Sequence, residues 1–328
     1  MDASLASPVA LLFPGQGAQS IGMGRTAWDQ SDAARAIFAR AGEALGFPLA
    51  GLCFEGPEEE LRKTSNQQPA ILVCSLAILA AHEEAILAAH EERYGPCDVA
   101  ASTGHSLGLY TALVAARALS LDDAVRLVAR RGALMQQAAE ESPGGMAAVL
   151  GLDADVVERA CAAASYDGID TDDIVVAANY NAPGQVVISG AIGALDRAVS
   201  LLKERGARKV VALAVAGAFH SPLMRSAADA MAAPLRSAAI GDAAYPIYTN
   251  TTGRAIQGAD EIRLELEQQI LAPVRWTDAL ENMAAFGVTR FVDCGPGATL
   301  AALVKRTVAG GEIVKLDRLD RTDHAHER

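Results

Sequence analysis

The chain has 328 residues, of which 51% are hydrophobic, and a formal net charge of −12 at pH 7. This length and composition allow a well-buried core in one large domain or two smaller ones. The acidic balance argues against a nucleic-acid-binding protein, because such a protein needs a broad basic face to neutralise phosphates.

The cysteines indicate neither a disulfide framework nor a zinc site. They are odd in number, far apart and without a C-x-x-C pair, which favours buried thiols: Cys53, Cys74, Cys97, Cys161 and Cys294. The N-terminus has no basic segment followed by a long apolar one, and no stretch of about eighteen uncharged apolar residues occurs. We therefore expect a cytoplasmic enzyme with no membrane partner.

The first predicted strand, at 8–13, runs into a glycine-bounded loop with the sequence Pro14-Gly15-Gln16-Gly17-Ala18-Gln19. The loop lacks the G-K-[ST] ending and the G-x-G-x-x-G register of phosphate-binding loops. Two interpretations stay open. It is an ordinary strand-to-helix turn, or its backbone N–H groups face a developing negative charge, with Gln16 as the leading donor.

Two alanine-rich segments, 32–45 and 76–93, have helical spacing and predict packing helices. His82 and His90 lie in the second segment. No acidic residue completes a ligand pattern with them, so a solvated helix surface is favoured over a metal site. We expect no bound metal.

Residues 104–108 have the G-x-S-x-G pattern of a nucleophile elbow, with the sequence Gly104-His105-Ser106-Leu107-Gly108. The pattern lies between a strand-like run at 99–101 and a helix-like segment, which is the context that this motif requires. Glycine is needed on both sides of the serine because a Cβ there would collide with neighbouring backbone. Ser106 is therefore predicted to be a nucleophile.

The helix after the elbow carries an arginine on its apolar face. Ser120 is its predicted N-cap with Asp123 at N3, and its apolar stripe consists of Ala124, Leu127, Val128 and Met135. Arg131 lies on this stripe. A buried guanidinium is costly without an anion, so we expect either a structural salt bridge or a substrate carboxylate bound by the planar fork.

The organisation changes after 143–145. The next segments follow the order β-α-β-β-α-β, predicted at 146–152, 154–164, 174–178, 185–189, 194–205 and 209–213. This order is typical of a ferredoxin-like α+β unit, here inserted into a larger one. Residues 179–184 are predicted to form the turn between the middle strands. We assign 143–214 to a small ferredoxin-like subdomain, and 1–142 and 215–328 to a large α/β catalytic subdomain.

A histidine follows at the end of a strand, in the sequence Gly217-Ala218-Phe219-His220-Ser221-Pro222. At such a junction a histidine is either structural or, in a chain with an elbow serine, its general base. Strands predicted at 246–249, 290–293 and 312–316 alternate with helices and restore the α/β pattern. Residues 320–328 are charged and are expected to fray.

Together these segments resemble the malonyl-CoA:acyl carrier protein transacylases and the related acyltransferase domains of polyketide synthases. The resemblance extends over nearly the whole chain, through motifs in the same order: Phe13-Pro14-Gly15-Gln16-Gly17, the elbow, Asn179-Tyr180-Asn181-Ala182-Pro183-Gly184-Gln185, Phe219-His220, Pro273-Val274-Arg275-Trp276 and Gly295-Pro296-Gly297. It implies a hydrolase-like, parallel-sheet α/β core with an inserted ferredoxin-like α+β subdomain, which agrees with the predicted order of elements.

The resemblance implies a ping-pong acyl transfer. Ser106 takes the acyl group from a coenzyme A thioester, and the phosphopantetheine thiol of an acyl carrier protein then removes it. His220 is the implied general base, and Arg131 is implied to bind the malonyl carboxylate and so to separate malonyl from acetyl groups. The implied partners are malonyl-CoA and an acyl carrier protein. No tightly bound cofactor is implied, because the coenzyme A thioester is a substrate.

Further positions match functional residues of the family. Gln16 and the backbone N–H of Leu107 match the oxyanion hole. Gln269 matches the residue whose main-chain carbonyl orients the histidine, where a usual serine triad has aspartate. Met135 and Met146 match apolar positions of the acyl pocket, although a plain packing role is equally open for both.

Two positions depart from the free-standing fatty-acid enzymes, which commonly have glutamate where this chain has Leu109 and a small residue where it has Phe219. A phenylalanine before the histidine resembles the malonyl-selecting domains of modular polyketide synthases, where its bulk crowds an α-methyl branch. It favours a discrete enzyme of a polyketide pathway, while Leu109 leaves room for a less usual acyl group. Asn181 is an implied substrate-binding residue.

The densest basic cluster of the chain lies in the inserted subdomain and consists of Lys203, Arg205, Arg208 and Lys209. We hypothesise that this basic cluster meets an acidic carrier protein. A solvated helix end explains it equally well.

Three other functions stay open. A serine hydrolase or thioesterase uses the same Ser106 and His220, but it has no need of a buried arginine and releases free acid. An enzyme that shuttles a larger acyl or aminoacyl chain between carrier proteins can dispense with Arg131. A non-catalytic carrier-binding module is disfavoured, because both members of the dyad and the Gln16 loop are present.

Overall fold

The computed structural model describes residues 9–89, 99–166 and 173–316. Cys97, the end of the predicted helix that contains His90, and the charged segment 320–328 lie outside the described residues. The helices are α1 (Arg25–Gln30), α2 (Asp32–Leu45), α3 (Leu49–Glu55), α4 (Glu58–Arg62), α5 (Thr64–Ala89), α6 (Gly108–Ala115), α7 (Leu121–Glu141), α8 (Ala154–Ala164), α9 (Ile192–Glu204), α10 (Arg225–Ser237), α11 (Ala259–Gln269), α12 (Trp276–Ala285) and α13 (Thr299–Thr307). The strands are β1 (Val9–Phe13), β2 (Val99–Gly104), β3 (Gly144–Leu150), β4 (Val175–Ala182), β5 (Gln185–Ala191), β6 (Lys209–Ala212), β7 (Ile247–Tyr248), β8 (Ala255–Ile256), β9 (Arg290–Asp293) and β10 (Glu312–Lys315).

The larger of two sheets has the strand order β10-β9-β1-β2-β7-β8. All neighbours in this sheet are parallel except the edge pair of β7 and β8. Every residue of β1 is buried, which explains its uninterrupted apolar sequence, because a strand covered on both faces has no solvent side. The carboxyl ends of β1 and β2 meet at one edge of the sheet, and the loops that follow them are the Gln16 loop and the elbow.

Helices α2, α5 and α7 pack against one another in the main hydrophobic core. Residues 70–79 of α5 are buried, as expected for a helix that is apolar on nearly all sides. The predicted cap of α7 is present, since the N–H of Asp123 donates to Oγ of Ser120 at 3.1 Å. This cap fixes the start of the helix that carries Arg131.

A separate antiparallel sheet, in the order β4-β5-β3-β6, is inserted between α7 and the 3₁₀ turn Pro222–Met224. Its elements follow the predicted order β3-α8-β4-β5-α9-β6, and α8 and α9 pack on it around a core of their own. We call β3 to β6 with α8 and α9 the small unit. The subdomain bounds at 143–214 stay a prediction.

The turn between the middle strands is present, but its predicted extent, 179–184, is wrong. Strand β4 continues through Ala182, and the chain reverses at Pro183 and Gly184. The pairing of β4 with β5 has two register shifts within 177–182. These irregularities let a strand run through an asparagine-rich sequence that by composition is typical of a turn.

Strand β4 also pairs with the segment after α11, through a parallel bridge between Asn179 and Val274. The N–H of Tyr180 donates to the carbonyl of Val274, and the N–H of Val274 donates to the carbonyl of Ala178, both at 2.8 Å. The small unit is therefore hydrogen-bonded directly to the chain that leads out of α11.

The described cysteines, Cys53, Cys74, Cys161 and Cys294, are buried thiols as predicted. Burial raises the pKa of Cys53 and of Cys161 to about 12, which keeps both protonated. Among the described residues no group of three or more His, Cys, Asp or Glu side chains is placed to hold a metal ion. In the same ranges no single helix is long and apolar enough to cross a membrane, although α2 and α3 pass that test jointly across a bend of 116°.

Candidate active site

The nucleophile elbow joins β2 to α6 at the carboxyl edge of the larger sheet. A Cβ on Gly104 would lie 1.8 Å from the carbonyl carbon of Gly108, and one on Gly108 would lie 2.3 Å from the carbonyl oxygen of Phe13. Both positions therefore require glycine. Between them Ser106 has a φ of 52°, a left-handed conformation that costs about 1–3 kcal/mol in a residue with a side chain.

Ser106 and His220 are hydrogen-bonded, with 2.8 Å between Oγ and Nε2. The other ring nitrogen, Nδ1, lies 3.0 Å from the main-chain carbonyl oxygens of both Gln269 and Ala272. Carbonyl oxygens only accept, so Nδ1 carries the proton and Nε2 accepts from the serine hydroxyl. This is the arrangement of a nucleophile beside a general base, with two carbonyls where a usual triad has aspartate.

His220 is held in its neutral form. Burial, with the proximity of Arg131 and then of His105, lowers the pKa of His220 to about 3, against the opposing effect of the two backbone hydrogen bonds. The side chain is only 4% exposed. At neutral pH the imidazole is therefore uncharged and able to take a proton at Nε2.

Arg131 reaches the nucleophile from α7 and is completely buried. Its guanidinium donates to three uncharged oxygens: Oε1 of Gln68 at 2.7 Å, Oγ of Ser106 at 2.9 Å and Oε1 of Gln269 at 3.2 Å. Within the described residues its Nε has no hydrogen-bond partner and it joins no ion pair. Burial lowers the pKa of Arg131. The structural salt bridge considered from the sequence is thus absent from the part of the chain that is described.

Side chains from outside the elbow hold its backbone. Oδ1 of Asn250 accepts from the N–H of Ser106, and Nδ2 of Asn250 donates to the carbonyl of Gly104, both at 2.8 Å. Nε2 of Gln269 donates to the carbonyl of Ser106 at 2.9 Å. Asn250 is in turn bound through its own N–H to Oε1 of Glu265 in α11, at 2.8 Å.

No motif predicts Gln68, Asn250 or Glu265. The available signals were weak: a Gln67-Gln68 pair at the start of an otherwise apolar helix, and an asparagine just beyond a strand of a parallel sheet. Glu265 is a single acidic residue in a helix with several others, so its burial is not visible in the sequence.

The predicted oxyanion donors lie beside the nucleophile. Leu107 follows Ser106 and is completely buried, and among the described residues its N–H donates to no other protein atom. The Gln16 loop packs on the elbow so closely that a Cβ on Gly15 would lie 2.5 Å from the carbonyl oxygen of His105. The Gln16 loop and the elbow are therefore in contact at the carboxyl edge of the larger sheet.

The side chain of Gln16 belongs to the network around Arg131. Its Nε2 donates to Oε1 of Gln67 at 2.5 Å, and its Oε1 accepts from Nε2 of Gln68 at 3.2 Å. Gln68 also lies 3.5 Å from Sδ of Met135 and binds the guanidinium. Because the side-chain amide of Gln16 is already hydrogen-bonded to Gln67 and Gln68, its backbone N–H is the donor that could bind an oxyanion.

Comparison with known proteins adds the family. The model of the acyl transferase domain matches residues 10–321. The chain belongs to the acyl transferase domain family. A malonyl CoA-acyl carrier protein transacylase of Bacillus subtilis (strain 168) is 41% identical over 300 residues, which are 92% of this chain and 90% of that protein.

Solved structures of the acyl transferase domain family superpose closely. A malonyl-CoA:acyl carrier protein transacylase of Xanthomonas oryzae pv. oryzae is 41% identical, with a TM-score of 0.85 over 94% of each chain. A malonyl-transacylase in complex with its type II polyketide synthase acyl carrier protein is 37% identical, with a TM-score of 0.86 over 94% of this chain and 96% of that one.

Met135 and Met146, which match apolar positions of the family's acyl pocket, are buried in the same cluster as Leu109 and Phe219, the two residues that depart from the free-standing enzymes. Met135 touches the network of Arg131 through Gln68, as described above. Phe219 directly precedes the general-base candidate in the chain. The structure shows packing for these side chains, and their contact with an acyl group stays a prediction.

Asn181 hydrogen-bonds to the elbow through His105, with 2.9 Å between Oδ1 and Nε2. The ring of His105 lies 5.5 Å from that of Trp276, measured between centroids. Burial lowers the pKa of His105, so the neutral ring donates from Nε2 to the amide oxygen. Asn181 therefore ties β4 to the nucleophile's neighbour.

The basic cluster is exposed at the end of α9 and the start of β6. Lys209 pairs with Leu150 at one end of β3, whereas Met146 lies near the other end of that strand. The structure thus places Lys203, Arg205, Arg208 and Lys209 on the surface of the small unit and does not bring them together with the buried site.

Proposed function

We propose that this chain moves a malonyl group from malonyl-CoA to the phosphopantetheine thiol of an acyl carrier protein, through an ester on Ser106, in fatty-acid or polyketide synthesis. The observation that carries the proposal is Arg131, a completely buried cation in contact with the nucleophile and, within the part of the chain that the structure describes, bound only to neutral oxygens. A malonyl carboxylate supplies the missing negative charge to the guanidinium fork. An acetyl group has no carboxylate to offer.

In the first half-reaction Oγ of Ser106 attacks the thioester carbonyl while Nε2 of His220 takes its proton. We assign the resulting oxyanion to the backbone N–H groups of Leu107 and Gln16. The tetrahedral intermediate then expels coenzyme A, whose sulfur takes the proton from His220. The bonds from Nδ1–H to two carbonyls support this cycle, because they hold the ring in the tautomer that leaves Nε2 free to accept.

In the second half-reaction the carrier's thiol gives its proton to His220 and attacks the ester, and Oγ of Ser106 leaves with that proton. Water has to lose this competition. Ser106 is 9% exposed, so little bulk water reaches the ester, and a carrier thiol delivered on its arm meets the ester at a high effective concentration. This burial supports transfer over hydrolysis.

We place the acidic carrier protein on the basic cluster, which is the densest group of positive charge in an acidic chain. The buried Phe219 before His220 supports a polyketide pathway, where a bulky residue at this position excludes an α-methyl branch. A cytoplasmic location and the absence of a bound cofactor stay predictions.

Intact-protein mass spectrometry after exposure to a panel of acyl-CoAs tests the proposed reaction. We expect a malonyl adduct on the wild-type chain, no adduct on Ser106→Ala, and transfer of the adduct to an added holo carrier protein. An adduct that forms equally from acetyl-CoA would contradict the role of Arg131. Rapid loss of the adduct as free malonate, without a carrier, would make the chain a hydrolase.

A further inference from the structure

The backbone of the nucleophile is held on both sides by side chains that touch no reacting atom. The N–H of Ser106 donates to Oδ1 of Asn250 at 2.8 Å, and Nδ2 of the same amide donates to the carbonyl of Gly104 at 2.8 Å. One side chain therefore bridges the residues before and after His105. Because Ser106 has a φ of 52°, its conformation persists only where the surroundings over-determine it.

Asn250 is itself fixed by a buried carboxylate. Oε1 of Glu265 accepts from the N–H groups of Asn250 at 2.8 Å and Thr251 at 3.2 Å, and Oε2 accepts from the hydroxyl of Thr251. Glu265 is 4% exposed and, within the described ranges, joins no ion pair. A carboxylate is costly to bury among uncharged donors, and among the described residues its hydrogen bonds all go to the turn that carries Asn250.

Oδ1 of Asn250 has a second donor, Nε2 of Gln269, at 3.0 Å. The main-chain carbonyl of Gln269 binds Nδ1 of His220, and its Oε1 binds Arg131. The side-chain amide of Asn250 is thus hydrogen-bonded to Gln269. Gln269 in turn contacts both His220 and Arg131. Displacing the amide of Asn250 therefore changes the orientation of Ser106 relative to His220 and Arg131.

We propose that Asn250, held in place by Glu265, is the positioning residue of the nucleophile: its side-chain amide bridges Gly104 and Ser106 and keeps Oγ directed at His220. It acts through the backbone of Ser106 and contacts no substrate atom. The inference rests on Ser106 being the nucleophile, as in the proposed function.

Thr103 provides a matched comparison. It is completely buried at the end of β2, and its Oγ1 donates to the carbonyl of Tyr248 in β7 at 2.7 Å. Like Asn250, it links β2 to the segment around β7 through a buried hydrogen bond. Thr103→Val removes that bond at nearly constant volume and leaves the amide bridge across the elbow in place.

Labelling of Ser106 with a fluorophosphonate, in the full chain, separates positioning from general stability. In this reaction the Oγ–P bond forms, fluoride leaves and the hydroxyl proton passes to His220. We expect Asn250→Leu to lower the maximal labelling rate by about 10²-fold with little change in the half-saturating reagent concentration, because the reacting atoms are misplaced rather than the reagent poorly bound. Thr103→Val, which removes one buried hydrogen bond outside the amide bridge, should lower Tm and still label at the wild-type rate.

Labelling of a folded Asn250→Leu chain at the wild-type rate, or equal slowing by Thr103→Val, would overturn the inference. If Asn250→Leu does not fold, the labelling rate of Asn250→Asp tests the proposal instead. It keeps an acceptor for the N–H of Ser106 but sets an oxygen against the carbonyl of Gly104, so slowed labelling is expected and an unchanged rate refutes the proposal.

The proposed function fails in a different way. A wild-type chain that is labelled at Ser106 but takes no malonyl group from malonyl-CoA would contradict the malonyl transfer and leave the positioning role standing. A wild-type chain that is not labelled at Ser106 would remove the nucleophile, and the role of Asn250 with it.

Discussion

Burial lowers the pKa of both Arg131 and His220, yet it leaves them in opposite states at neutral pH. An arginine begins so far above neutrality that it stays charged, while a histidine begins near neutrality and becomes uncharged. One physical effect thus places a cation 2.9 Å and a neutral base 2.8 Å from the same serine oxygen. In the proposed function the cation selects the acyl group and the base transfers the proton.

Arg131→Ala is expected to lower kcat/KM for malonyl-CoA by about 10²- to 10³-fold, because truncating one partner of a buried charge pair costs about 2–5 kcal/mol. The value for acetyl-CoA should change by less than about tenfold, since no acetyl oxygen pairs with the guanidinium. Arg130→Ala, at the exposed neighbouring position, is the control and should match the wild type. An unchanged ratio of malonyl to acetyl transfer would mean that Arg131 does not select the acyl group.

His220 should make the fold sensitive to acid. Its pKa is lowered to about 3 in the folded chain and is near 6.5 in the unfolded chain, so the unfolded state binds a proton first as the pH falls. The contribution to stability is complete above pH ~6.5 and is lost as the pH falls from there toward 3.

Urea unfolding at pH 7.5 and pH 5.0 measures this sensitivity. The wild type should lose about 2 kcal/mol more than His220→Gln over that interval, because glutamine does not titrate. Equal losses in the two proteins would show that His220 is not held neutral.

At the scale of elements, the elbow depends on the absence of two Cβ atoms. Gly104 and Gly108 let β2, α6 and the end of β1 approach within contact distance, and this approach exposes a serine at the edge of the sheet. Local sequence is decisive here, which is why the motif, together with its place between a strand and a helix, predicts the elbow.

Gly104→Ala should abolish fluorophosphonate labelling and lower the free energy of unfolding by several kcal/mol, because the new Cβ would lie 1.8 Å from backbone. Gly51→Ala is the matched control. Its site in α3 is open, with no atom of the described residues within 4 Å of the added Cβ, so better helix propensity should raise stability by about 0.5–1 kcal/mol. A chain with Gly104→Ala that still labels Ser106 would show that the elbow tolerates a side chain there.

Element order was predictable from local patterns, and it was confirmed in detail where the periodicity was strong. The helices at 32–45 and 154–164 have the predicted bounds, and the inserted β-α-β-β-α-β order is as expected. The failure at 179–184 has a physical cause: asparagine and glycine favour turns by composition, and only pairing with β5 and Val274 decides that this stretch continues as a strand.

At the scale of the whole molecule, the site is assembled from distant parts of the chain. Ser106 is separated by 114 positions from His220 and by 144 from Asn250. Residues with a motif, such as the elbow serine, are predicted from the sequence and from the resemblance. No local pattern marks Gln68, Asn250 and Glu265. They differ from other polar residues only in their place in the fold, because folding brings their segments to the strand ends where the site lies.

The basic cluster offers a test at this scale, since it lies on the small unit while the chemistry lies in a buried site. Arg208→Glu with Lys209→Glu should slow transfer of the malonyl group to the carrier protein, with a strong dependence on salt, and leave acylation by malonyl-CoA unchanged. Stopped-flow measurement of each half-reaction distinguishes the two steps.

The control is Arg62→Glu with Lys63→Glu, which makes the same change in net charge on exposed residues around the end of α4. Both half-reactions should be unaffected in this variant. If the two double variants slow transfer to the carrier equally, the effect belongs to overall charge and the basic cluster is not the docking site.

The bridge between Asn179 and Val274 connects the small unit to the segment that holds His220. Val274 lies two residues beyond Ala272, whose carbonyl holds the imidazole of His220. If the small unit moved as a body, the bridge would move this segment, and with it the carbonyl of Ala272 that binds Nδ1 of His220. A displacement of the small unit is therefore coupled to the orientation of His220.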